Sequence, residues 1–165
     1  LHKDSLAPFF VDVENIIDEI GPHIRATSAR GNFTRDQLSD DFQKVRRITV
    51  FSYVLFPNAI VVVSPHFMSV ALLRPEAVDH TQVDYIMLVD AQPATDAIDA
   101  KMRQSFGLMD QAFGKEDFWA AEMCHKGLAS GLLSHLTLGG MEVQMIPLHR
   151  AVADCLARAG LAQPL

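Results

Sequence analysis

The sequence predicts an α+β domain, and three observations carry that prediction. Between residues 48 and 89, short runs rich in β-branched and aromatic residues recur with turn chemistry between them, the mark of an antiparallel meander. From Thr95 onward the apolar residues recur with the period of a helix, and they do so again near the C-terminus. The two patterns are segregated along the chain rather than alternating, which separates α+β from α/β. The 165 residues hold no internal repeat and no linker long enough to divide them, so one domain is expected.

Phe9 to Ile20 has apolar residues at 9, 10, 13, 16, 17 and 20, a helix-like spacing that stops at Gly21-Pro22. Residues 26–35, with Ser28, Gly31, Asn32 and Thr34, read as a loop. Ile48 to Phe56 reads as a strand closed by the turn signal Pro57-Asn58. Ala59–Val63, Phe67–Leu73 and Val83–Val89 follow as strands, separated by Ser64-Pro65, by Arg74-Pro75 and by the polar stretch 79–82. Thr95-Asp96 can cap a helix whose apolar residues fall at 98, 102, 106 and 109. A second helix is expected from Glu116 to about Leu128, opening with two acids at its positive end, and Gly127 and Gly131 loosen the chain after it. Met141–Ile146 reads as a last strand, and Leu148 to Ala162 as a C-terminal helix with Pro147 in its first turn.

Composition excludes several functions. Apolar residues make up 49% and charged residues 21%, so the chain is neither disordered nor fibrous. The net charge is −6, and the densest basic cluster is Lys44-Val45-Arg46-Arg47, too little to hold a phosphate backbone; no nucleic-acid partner is expected. The longest apolar run, Ala59–Val63, is far short of the ~20 residues that span a bilayer, so no membrane partner is expected. Two isolated cysteines, Cys124 and Cys155, form no zinc or cluster motif and suit a cytoplasmic location. The chain opens Leu1-His2-Lys3 without a methionine, as a piece of a longer protein would.

Few residues announce chemistry unaided. A lone histidine usually serves as a surface or hydrogen-bonded side chain, and there are seven. Glu122 and His125 share one helical face, but a di-iron carboxylate site needs a second such pair. G-x-S-x-G, P-loop and G-x-G-x-x-G motifs are absent. Cys124 lies in an apolar helical stretch and reads as a small packing residue. Asp110 reads as a plain surface acid.

Five stretches, in order, resemble the catalytic domain of the α subunit of Rieske-type ring-hydroxylating oxygenases. They are Leu55-Phe56-Pro57-Asn58; Leu73-Arg74-Pro75 with the strand after it; and Met102 to Gly107. Then come Glu116-Asp117 with Glu122 and Lys126-Gly127-Leu128, and finally Gly140-Met141-Glu142 with Leu148-His149-Arg150. The resemblance implies a helix-grip fold, an antiparallel sheet wrapped around a long C-terminal helix. It implies one mononuclear Fe(II) held by two His and one Asp, a facial arrangement that leaves positions open for dioxygen.

Asp117 would be the carboxylate ligand. Leu1 to Leu6 is similar to the end of the family's H-x4-H motif, with His2 as its second His and the first His upstream of Leu1. Leu6, Phe106 and Phe113 match positions that line the substrate pocket in the family. The family usually has Gln where this chain has His125. The resemblance further implies an N-terminal Rieske [2Fe–2S] domain absent from these residues, electrons from NAD(P)H through a reductase and sometimes a ferredoxin, and a homotrimer or an α3β3 assembly. The substrate class is an aromatic or similarly apolar molecule, with O2. A non-catalytic module that binds an apolar ligand on the same fold is the alternative. The fragment alone is expected to be inactive.

Overall fold

A computed structural model describes residues 15–29, 45, 48–89, 95–133, 135, 137–139, 142 and 144–161. Six strands, β1 (Asn15–Ile20), β2 (His23–Ala29), β3 (Thr49–Leu55), β4 (Ala59–Val63), β5 (Met68–Ala77) and β6 (His80–Leu88), form one antiparallel sheet in sequence order. Among the described residues three α-helices follow: α1 (Asp96–Gln111), α2 (Phe118–Ala129) and α3 (Met145–Arg158). A six-residue π segment, Ala112–Asp117, joins α1 to α2 without a break.

The expected strands between 48 and 89 are present. Two of the expected separators are not. Arg74-Pro75 lies inside β5, and His80 to Gln82 lie inside β6. β4 pairs with β5 only as far as Ala59↔Leu72, so the missing N–H of Pro75 faces no strand on that side, and a register shift beside Pro75 absorbs the irregularity.

Three further expectations are corrected. The described part of the predicted first helix, Asn15–Ile20, is a strand. Its Ile16, Ile17 and Ile20 fit either period, and pairing with β2 decides between them. Gly21-Pro22 is therefore a two-residue hairpin turn, with Gly21 at φ 59° where such turns need a left-handed residue. The start of the predicted loop, Ala26–Ala29, belongs to β2. Thr27 there is buried between Ile16 and Phe51, its partners on either side. Finally, Met145 and Ile146 of the predicted last strand open α3, which thus starts before Leu148 and holds Pro147 in its first turn, where a missing N–H is harmless.

The register gives the sheet two faces, because residues directly opposite on antiparallel strands point the same way. Glu19, Ile24, Val54, Ile60, Ala71 and Tyr85 form one row across all six strands. At the β1 end of that row, Glu19 faces Arg150 of α3 at 3.8 Å, and α3 contacts β2, whose Ile24 is buried. At the β6 end, Tyr85 meets Phe106 of α1 and Phe113 of the π segment. On the opposite face the adjoining row carries a cross-strand ion pair, Arg25 with Asp18 at 2.9 Å. That bond and the neighbouring Tyr53 hold the Arg25 guanidinium above its ordinary pKa, against the pull of burial. Beyond β6, Thr95 caps α1 as its sequence predicts, its hydroxyl accepting from the Ile98 N–H at 3.3 Å.

Candidate functional site

The sheet and the α1–α2 segment enclose a cavity of about 160 Å³. That is close to the roughly 150 Å³ that admits a benzene ring. Its sheet wall is Ile60, Ala71, Leu73, Val83 and Tyr85, all on the face defined by the row above. Its helical wall is Asp110, Phe113, Gly114 and Phe118. Aromatic rings knit the walls together. Tyr85 lies 5.6 Å from Phe106 and 5.6 Å, edge to face, from Phe113, and Phe113 stacks on Phe118 at 6.3 Å.

The helical wall shows why the chain changes pitch here. An unbroken α-helix repeats a face at i, i+3, i+4 and i+7, which would align Asp110, Phe113, Gly114 and Asp117. The Phe118 N–H instead bonds back to the Phe113 carbonyl, five residues away, so the segment takes up one extra residue. Phe118 then occupies the fourth position on the cavity wall, and Asp117, half-buried, is left off it. Short π segments of this kind are concentrated at functional sites. The expected helix start at Glu116 is corrected by the same observation. Glu116 and Asp117 sit within a continuous helical run, so no helix N-terminus stabilises them there.

Of the expected site residues, Phe113 lines the cavity and Phe106 packs on its Tyr85 wall, while Asp117, half-buried in the π segment, is not among the lining residues. His2 and Leu6 lie outside the described residues. Among the described residues no group of three His, Cys, Asp or Glu side chains converges as a metal site. His125, half-buried on α2, joins no such group.

Asp110 is exposed, as a surface acid would be, but it also lines the cavity. Its spacing to Phe113 and Gly114, three and four positions, was the available signal for that face. Tyr85 is a second residue that sequence reasoning passed over. Burial pushes its phenol above the ordinary pKa. The nearby Ser69 hydroxyl works against that shift but falls short of hydrogen-bond geometry, leaving Tyr85 Oη buried with no partner among the described residues.

A sequence comparison with family models adds the deciding observation. The model described as ring hydroxylating alpha subunit (catalytic domain) matches residues 2–158. The chain belongs to that family. Against curated protein sequences it has no match. Ring-hydroxylating catalytic domains are oxidoreductases of the oxygenase type, and an apolar cavity of ring size suits such a domain. Among the described residues no helix is long and apolar enough to cross a membrane.

Proposed function

We propose that this ring-hydroxylating domain is the catalytic part of a Rieske-type oxygenase that hydroxylates an aromatic or similarly apolar substrate. The observation that carries the reading is the ring-sized apolar cavity with Asp117 in the pitch-shifted segment of its wall. A half-buried carboxylate is a suitable donor for Fe(II), and Asp117 with His2 would hold a mononuclear iron together with a further imidazole. The iron would supply the activation of dioxygen. The chain's own residues do the rest. Phe113, Phe118 and Tyr85 hold an apolar ring by stacking, and the aliphatic sheet wall of Ile60, Leu73 and Val83 excludes water from it.

The sheet and its C-terminal helix are read as a helix-grip domain spanning residues 1–165. Electrons would come from NAD(P)H through a reductase, with or without a ferredoxin, and a Rieske [2Fe–2S] cluster outside these residues, in a homotrimer or an α3β3 assembly. In the intact oxygenase supplied with its reductase, Asp117→Ala should lose the mononuclear iron and product formation while keeping the Rieske signal. Asp154→Ala, an exposed acid outside the five resembling stretches, should keep both. Retention of iron and turnover by Asp117→Ala would overturn the proposal, and an intact protein that binds an apolar ligand but holds no iron beyond the cluster would place the chain with non-catalytic carriers.

A further inference from the structure

We infer that Asp110 determines substrate specificity, selecting molecules with a ring-sized apolar body and a cationic amine about one helical turn from the ring, and disfavouring carboxylates. This deepens the reading of the cavity as the substrate pocket and rests on it. Asp110 is the one carboxylate in the described lining, which is otherwise aliphatic, aromatic or glycine. It makes no hydrogen bond or ion pair among the described residues, and Lys115, the cation nearest in sequence on the same helical run, does not pair with it. Being exposed, it stands where the cavity meets solvent.

Its position follows from the helix. Asp110 precedes Phe113 and Gly114 by one turn, an axial rise on the order of 5 Å. A ring held against Phe113 therefore brings an amine on a two-carbon arm to the carboxylate. The faces of Tyr85, Phe113 and Phe118 favour a cation further, through the negative potential of their π systems. The net charge of −6 acts in the same direction, steering cations toward the chain and carboxylates away.

Three probes of one shape test this: 2-phenylethylammonium, 2-phenylethanol and phenylacetate, titrated by calorimetry into the wild-type chain and Asp110→Asn at low salt. The ammonium should bind the wild type roughly three- to tenfold more tightly than the alcohol, the range for one charge pair at a partly exposed site, with phenylacetate weakest. Asp110→Asn should bring the three within about twofold of one another. In the wild type alone, about 0.5 M salt should narrow the gap, because an exposed pair is screened. Equal affinities in the wild type, an order unchanged in Asp110→Asn or unmoved by salt, or no binding of any probe would each overturn the inference. The readout needs neither iron nor turnover, so failure of the iron reading at Asp117 would show separately, as missing metal with the probe preference intact.

Discussion

Asp117, a proposed ligand, and Tyr85, a cavity residue, show how differently two residues can be read. Only the Glu-Asp motif marks Asp117 as a candidate. Its local sequence suggested a helix-end acid, and the continuous helical run removes that role. A helix-end charge is worth about 0.3–1 kcal/mol, and that term is absent here. Tyr85 was legible as an inward strand residue but not as a site residue, since nothing in its neighbours foretells an unpartnered hydroxyl. Tyr85→Phe should be neutral or stabilising by about 1 kcal/mol, because it removes a buried polar atom without leaving another unpaired. The pH dependence follows from the raised phenol pKa. The fold favours the neutral phenol, so this stability is complete below the ordinary value of about 10 and falls as pH rises from there through the folded value. Urea unfolding at about pH 8 and pH 10.5 should show that fall in the wild type and a smaller one in Tyr85→Phe.

At the scale of elements, strands flanked by proline turns and a helix with a threonine cap were legible because each signal is local. β1 was not. Three isoleucines at 16, 17 and 20 satisfy a helix as well as a strand, and only the partner β2, across the Gly21-Pro22 turn, settles the matter. The π segment was hidden for a similar reason, since one extra residue in a helical run leaves no compositional trace. Gly114 within it offers a direct test. A Cβ built there meets nothing within 4 Å, and its backbone is not left-handed. Gly114→Ala should then raise stability by about 0.4–1 kcal/mol through loss of unfolded-chain freedom. Because Gly114 lines the cavity, the added methyl should also weaken binding of a benzene-sized ligand. Thermal unfolding and ligand titration on the same variant would show gain and loss together. Thr95→Ala should cost about 0.5–2 kcal/mol by the same thermal measurement, through the lost cap on α1.

Across the whole molecule, a single row of residues from Glu19 to Tyr85 relates the C-terminal helix at one end of the sheet to the cavity at the other. The α+β class and the order of the central strands were readable because that sheet is built from neighbours in sequence. The cavity was not readable, because its walls come from β4, β5, β6 and a helical run whose phase shifts midway. Amide exchange should be slower in β2 to β5, which have a strand on each side, than in β1 and β6, which have one neighbour among the described residues. The proposed ligation of iron by Asp117 is tested by a crystal structure of the protein loaded anaerobically with Fe(II), with the metal located by anomalous scattering. An iron peak is expected about 2.0–2.2 Å from an Asp117 carboxylate oxygen, with the His2 imidazole on the same ion. An iron peak elsewhere, or His2 and Asp117 both ordered and directed to different surfaces, would contradict it.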